Sequence, residues 1–421
     1  MTPDILGRSR IPAFLALPGR FSPSIPDRAK PALLVLLAVA AGAIGWSGYV
    51  LALPAAMIFP ALWALSPSRV VAALVSAGYF LAASRGLPHG VANFFAADLW
   101  PGLLLWLAAS VSFVVVHAAA WANQPDEGRQ GKVHPGRGRV VRYLVATVLM
   151  ALPPFGMTGW AQPITAAGVL FPGWGWWGLA AAATSLATMI SRGWPATAIV
   201  LGGFWAWSAA SWTPPLLPPG WKGVDLEQGR NLGRDGSLAH HRDLIATVLS
   251  SVDSQTRVIV LPESALGFWT PTVDQLWREA LRDRDVTVIA GAAVLERQGY
   301  DNVLVAVSAD RSAILYRERM PVPVSMWQPW RAWTGQGGGA RASFFANPAV
   351  EVSGMKIAPL ICYEQLIVWP ALQSMLHGPD VIVATGNGWW TAGTSIVAIQ
   401  QASTIAWAKL FGLPFVTAFN S

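Results

Sequence analysis

The chain has 421 residues, 53% of them hydrophobic and 12% charged, with a mean hydropathy of +0.43. That charged fraction is about half of the roughly 25% usual in soluble domains, which excludes a wholly water-soluble globule. One cysteine excludes an internal disulfide. The net charge of +7 lies largely beside apolar runs, where it sets membrane orientation rather than binding nucleic acid.

In chain order, residues 1–30 are broken by prolines and hold Arg8, Arg10, Arg20, Arg28 and Lys30 against Asp4 and Asp27. They read as a cytoplasmic tail. No formal charge occurs between Lys30 and Arg69, or between Arg142 and Arg192. A spanning helix needs about 20 mostly apolar residues. The pattern predicts a membrane domain over 31–213 with helices at 31–48, 50–67, 70–86, 100–121, 140–158, 174–191 and 195–213. The third is flanked by Arg69 and Arg85, which must snorkel. His117 lies inside an apolar helix, as a functional group or as a histidine bonded to a neighbour. The segment 122–142 carries Arg129, Lys132, Arg137, Arg139 and Arg142 against Asp126 and Glu127, whereas 159–173 is uncharged. By the positive-inside rule the N-terminus is cytoplasmic and the C-terminal half lies outside the cytoplasm, in the periplasm of a Gram-negative cell. Trp174, Trp176, Trp177, Trp205, Trp207, Trp212 and Trp221 read as an interfacial aromatic belt, with a lipid-substrate entrance as the alternative.

From residue 223 onward, charges become frequent. Short β-branched runs at 257–262, 286–293, 302–307, 313–317, 355–361, 380–385 and 414–418 alternate with helical stretches at 238–250, 272–283, 365–376 and 394–410. Most of these strands are almost continuously apolar, as expected when both sheet faces are covered, so 223–421 reads as a layered α/β domain. The Gly-rich "TGQGGGA" at 334–340 lacks a following Lys-Ser/Thr pair, which excludes a P-loop; it reads as a mobile loop bordering the site.

Two strand ends carry chemistry. Cys362 follows the run "KIAPLI" and precedes a helical stretch. An elbow of that kind presents a side chain at the carboxyl edge of a sheet, where α/β sites gather, and a helix N-terminus favours a thiolate. The alternative is a buried space-filler. Glu263 ends the buried strand in "RVIVLPES" and reads as a base with a raised pKa or as a helix cap. Glu364 is positioned to orient the site or cap the helix.

The motifs "VLPES", "ICYEQ" and "VATGNGWW", with "QGRN" at 228–231 and "AWAKLFGLPFVTAFNS" at 406–421, resemble the carbon–nitrogen hydrolase (nitrilase) superfamily. The seven-helix front resembles its apolipoprotein N-acyltransferase branch. "MPVPVSMWQPW" at 320–330 looks most like a plasmid-encoded relative of that enzyme acting in conjugal transfer. The resemblance implies a multi-pass α-helical membrane domain followed by an α/β nitrilase-like αββα sandwich in the bacterial inner membrane. It also implies a Glu–Lys–Cys triad without cofactor or metal. Glu263 matches the general base and Cys362 the nucleophile that forms a thioester. Glu364, Asn387 and Trp389 are the candidate supporting residues. The implied partners are membrane phospholipid as acyl donor, a lipoprotein amine as acceptor, and conjugation components of the envelope, with no direct nucleic acid.

The resemblance places the family lysine two residues past Tyr316 and five before Pro323, where this chain has Glu318. An ionised Glu there repels a developing oxyanion. Arg317 and Arg319 flank it, and Arg319 is the candidate replacement donor. Lys356 precedes the cysteine by most of a strand. The family's next Glu is replaced at Met326, and the branch pattern continues beyond Ser421 with a closing helix. Two readings therefore stand: a cysteine-dependent envelope acyltransferase or amidase, and a family member that keeps the fold for binding in conjugation. His240 and His241 are adjacent and lack further ligands, which disfavours a metal enzyme.

Overall fold

The computed structural model describes residues 28–122, 137–158 and 160–421. Most of the basic tail and most of the basic 122–142 segment fall outside them. The described chain begins with α1 (Lys30–Gly45), a 3-10 segment (Val50–Ile58) leading into α2 (Phe59–Ala64), α3 (Arg69–Ala83), α4 (Leu87–Phe95), α5 (Leu99–Ala120), α6 (Arg137–Ala151), α7 (Ala167–Leu170), α8 (Gly175–Met189) and α9 (Trp194–Ala210).

The seven expected helices all have counterparts, but most are short. Among the described residues, α5 is the one helix long and apolar enough to cross a membrane. The pair α3 and α4 passes the same test together, with a 50° bend at the break. The second expected helix is mostly 3-10, with Pro54 inside it, because proline cannot supply the amide hydrogen that an α-helix needs. Arg69, Arg85 and Arg139 do not lie free at helix ends. Arg69 donates to the carbonyl of Trp121, Arg85 to those of Ala43 and Trp46, and Arg139 to those of Ala64 and Ala122. Each guanidinium satisfies carbonyls that a helix terminus leaves without partners. His117 is bonded to its neighbour: Nδ1 lies 2.8 Å from the Phe113 carbonyl.

The second half adds β1 (Trp221–Gly223), α10 (Leu238–Ser251), β2 (Val258–Val260), α11 (Pro271–Ala280), β3 (Thr287–Glu296), β4 (Gly299–Val307), β5 (Ser312–Arg317), α12 (Trp330–Trp333), β6 (Val350–Val352), β7 (Met355–Ile361), α13 (Val368–Met375), β8 (Val381–Asn387), α14 (Ile396–Phe411) and β9 (Phe415–Asn420). One sheet has the order β1-β2-β3-β4-β5 and the other β6-β7-β8-β9. Neighbours β1, β2 and β3 are parallel, as are β7, β8 and β9, while β4, β5 and β6 pair antiparallel. The short strands β1 and β6 have no counterpart in the sequence reading, because neither WKG nor VEV forms an apolar run. Trp221 accordingly lies buried in β1 rather than in an aromatic belt.

Alternation along each strand builds the layers. Val258 and Val260 point between the sheets, against Ile357, Ile361, Val381 and Val383. Ile259 and Leu261 point outward onto α10 and α11, with Leu244, Val248 and Trp277. On the other sheet, Ala358, Leu360 and Ile382 face α13 and α14. The result is α/β/β/α. Ser237 and Thr270 cap α10 and α11 by accepting from the amides of His240 and Val273, and Pro271 opens α11, where a missing N–H is harmless.

The outer helix layer does not face solvent alone. Trp407, Ala406 and Leu410 of α14 share one apolar core with α1, α3, α7 and α8. Gly168 in α7 makes this contact possible: a Cβ there would lie 1.7 Å from the Ala406 carbonyl oxygen. The N-terminal helices thus form a fifth layer on the α/β unit.

Candidate active site

β7 ends at Ile361, and Cys362 turns the chain with a φ of +43° into a 3-10 turn, Cys362–Gln365. A non-glycine residue in the left-handed region is strained, and such strain persists where the surroundings impose it. Here Glu364 holds the elbow. Its Oε2 accepts from the Ile361 amide at 2.8 Å, and its Oε1 accepts from the Arg319 amide at 2.7 Å and the Tyr316 hydroxyl at 2.6 Å. The thiol is buried and within 3.7 Å of Gln400 Nε2 on α14.

Glu263 reaches the same point from the other sheet. It follows β2, and the loop behind it packs on Gly291 of β3, where a Cβ would meet the Glu263 Cα at 2.5 Å. Its carboxyl lies beside the Cys362 thiol, close enough for each to shift the other's protonation. Glu263 Oε1 accepts from Asn302 Nδ2 at 2.8 Å, and Oε2 from the Asn387 amide at 3.1 Å. Burial pushes Glu263 above the ordinary carboxylate range, and the bonds from Asn302, Cys362 and Asn387 pull it part of the way back. Burial, then the charges of Glu263 and Glu318, push the thiol well above its ordinary value. The resting cysteine is therefore neutral, and its proton must leave as the sulfur attacks, which is the task of an adjacent base.

The structure brings Cys362, Glu263 and Asn387 together and sets Trp389 at the rim. Trp389 stacks with Phe94 of α4 at 5.7 Å and lies under the guanidinium groups of Arg230 and Arg234. Arg319 is directed elsewhere. It is fully buried, with Nε donating to the Tyr316 hydroxyl, Nη1 to Gln373, and Nη2 to the Pro359 carbonyl and Ser374. Its Nε is 3.7 Å from Glu364. The flanking position thus yields a structural cation that supports the elbow, because successive residues of an extended segment point to opposite sides. Lys356 sits at the far end of β7, donating to the His377 carbonyl, and Met326 lies in the cavity wall.

Glu318 occupies the interior beside Glu263. It is buried, and its Oε2 accepts from the same Asn302 Nδ2 at 2.8 Å. Burial, then Glu263, then Glu364 push its carboxyl well above the ordinary range. Two further groups at the site belong to no motif: Asn302 and Gln400. Their signal in the sequence is a polar residue inside an apolar element, "DNVLVAV" for the strand and "IVAIQQA" for the helix. The Gly-rich loop is anchored to the β3–β4 hairpin, with Ala340 paired to Tyr300 and Arg341 bidentate on buried Asp301 at 2.7 Å.

A cavity of about 500 Å³ opens over the thiol. Cys362, Glu263 and Tyr300 form its polar end. Phe80, Val91, Leu105 and Phe113 from α3, α4 and α5 extend it as an apolar channel. Leu104, Leu107, Val111 and Val115, also on α5, are exposed. One helix therefore lines the cavity and presents a bare apolar surface.

A family model described as carbon-nitrogen hydrolase matches residues 81–409. The conjugal transfer protein TraB of Agrobacterium fabrum is 68% identical over 421 residues, covering 100% of both chains. A probable conjugal transfer protein TraB of Sinorhizobium fredii is 60% identical over 395 residues, covering 94% of this chain and 99% of its own. Among solved structures, a mutant amidase of the nitrilase superfamily from Nesterenkonia AN1 aligns with 49% of this chain and 79% of its own, at a TM-score of 0.36 and 10% identity.

Proposed function

The chain belongs to the carbon–nitrogen hydrolase family, and from that premise we propose that it is an inner-membrane protein of plasmid conjugation that forms an acyl thioester on Cys362. The donor is a membrane phospholipid, and the acceptor is an amine of an envelope protein, with a lipoprotein or a conjugation component as the partner class. In this reading residues 1–30 are cytoplasmic, 31–213 form a multi-pass membrane domain, and 223–421 form the periplasmic catalytic domain. The observation that carries it is the cavity: a thiol beside a buried carboxyl opens into an apolar channel lined by the membrane-length helix α5. Small amides need no such channel, whereas an acyl chain gains about 0.8 kcal/mol for each CH₂ it buries.

The chemistry follows from the groups present. Cys362 Sγ attacks the ester carbonyl carbon while Glu263 takes the thiol proton, and the carbonyl electron pair moves onto oxygen. Collapse breaks the ester C–O bond, and Glu263 returns the proton to the leaving alkoxide. An amine then attacks the thioester, Glu263 accepts the amine proton, and the departing sulfur recovers it. Incubating membranes with an alkyne-tagged phospholipid tests this. A hydroxylamine-sensitive label on the wild type, lost in Cys362→Ala and in Glu263→Gln, is the expected result. A protein that takes no label while its cysteine still alkylates with a small probe would instead serve conjugation by binding.

A further inference from the structure

Three carboxyls, Glu263, Glu318 and Glu364, converge behind one thiol in the interior. Five of their six oxygens have protein partners. Glu263 uses both of its own, and Glu364 uses both on the elbow, where Met320 also donates. Glu318 Oε2 is engaged by Asn302, while Glu318 Oε1 is buried and has no hydrogen-bond partner. A buried polar atom without a partner costs about 1–3 kcal/mol, and in a native fold it calls for an explanation such as a catalytic role or a bound water.

The charge state of Glu318 follows from its surroundings. The titratable groups facing it are Glu263, Glu364, Cys362 and Tyr300, none of them cationic. The nearest buried cation, Arg319, is spent on Glu364, Tyr316 and α13. Like charges packed this closely cannot all ionise, and Glu263 has more donors to support its charge than Glu318 has. Because Oε2 already accepts from Asn302, the proton of a neutral Glu318 resides on Oε1.

We propose that Glu318 is a catalytic hydrogen-bond donor, a neutral carboxylic acid whose Oε1–H binds the oxyanion that forms on the carbonyl oxygen of a substrate attached to Cys362. A neutral acid in an apolar setting donates as the family ammonium does, without placing a second charge beside Glu263. The repulsion expected of an ionised Glu at this position does not arise. No additional reactant is needed: the Glu318 proton is shared with the oxyanion and returns when the tetrahedral intermediate collapses. The inference draws on the proposed acyl chemistry only for the identity of the substrate, since any carbonyl electrophile develops the same charge.

Two small probes separate these ideas, using the full chain in detergent. Cys362 is the sole thiol, so any thiol adduct seen by mass spectrometry is on that residue. Acrylamide adds with negative charge accumulating on its carbonyl oxygen, whereas iodoacetamide reacts by displacement and leaves its carbonyl uncharged. Glu318→Leu is expected to slow acrylamide addition by about 10²–10³-fold, the usual cost of losing an oxyanion donor, with the iodoacetamide rate within a few-fold of wild type. Glu318→Gln keeps an N–H donor and is expected to retain acrylamide addition within about tenfold. Acrylamide addition by the wild type should also fall at alkaline pH, and this fall should be missing in Glu318→Gln. A ratio of the two rates that Glu318→Leu leaves unchanged overturns the proposal. The phospholipid label can fail while the probe ratio still depends on Glu318; that outcome removes the proposed substrate and supports the donor.

Discussion

At the scale of residues, the site is a small set of buried polar groups whose positions explain one another. Arg319 and Glu364 are both fully buried, and each completes the other: the carboxyl accepts from Tyr316 and from the amides of Arg319, Met320 and Ile361. Removing one member leaves the other without compensation, at about 3–5 kcal/mol. Arg319→Met is therefore expected to lower thermal stability of the purified chain by that amount and to release the Cys362 elbow, raising its reactivity to bulky thiol reagents. An Arg319 that acted at the thiol instead would lose reactivity with little change in melting. Glu318 makes a second prediction. Its carboxyl binds a proton more tightly in the folded state than at its ordinary 4.5. The unfolded chain therefore holds fewer protons, and stability falls as pH rises from the ordinary value toward the folded one. Glu318→Gln removes this dependence, so the melting temperature of the variant should exceed wild type by a margin that grows from pH 5 to pH 8. Equal pH slopes in the two proteins would show that Glu318 is ionised.

At the scale of elements, the strand ends were legible and their partners were not. Cys362 and Glu263 stand where apolar runs stop, and the run itself marks a strand covered on both faces. Nothing in "DNVLVAV" says that Asn302 will bridge Glu263 and Glu318, because that requires β4 to lie beside β3 in a particular register, with Asn302 opposite Ala293. The same holds for the family lysine position. The spacing from Tyr316 and Pro323 singles out Glu318, but its surroundings come from three segments far apart in sequence. The tight contact at Gly291 is a further case. Gly291→Ala would place a methyl against the backbone of Glu263 and Ser264 at 2.5 Å, so the Glu263 carboxyl must withdraw from the thiol. Overpacking of this kind costs about 1–3 kcal/mol. Iodoacetamide labelling of the variant should slow by about tenfold or more, a one-unit loss in log rate equivalent to about 1.4 kcal/mol. Unchanged labelling would mean that Glu263 does not serve as the base.

At the scale of the whole molecule, the helical front and the α/β sandwich are one packed body. α7 and α8 press on α14, and the cavity over Cys362 is walled by α3, α4 and α5. A division at residue 213 marks a change in composition, not an interruption of the core. The proposed topology has a direct test. In a Cys362→Ala background, Ser254→Cys in the sandwich should react with a membrane-impermeant maleimide in intact spheroplasts. Gly193→Cys, in the turn before α9, should react after the membrane is permeabilised. The reverse pattern would place the sandwich in the cytoplasm.

Composition and periodicity were enough to separate an apolar helical half from a layered α/β half, and to put Cys362 and Glu263, the candidate nucleophile and base, at strand ends. These are local properties: charge density, strand alternation and the motifs around Cys362 and Glu263 lie within a few residues of one another. Helix lengths, the inward turn of Arg319 and the convergence of Glu318 with Glu263 depended on the assembled fold. Burial, desolvation and shared hydrogen bonds arise between segments that meet only when the two sheets and the helical layers close over the thiol.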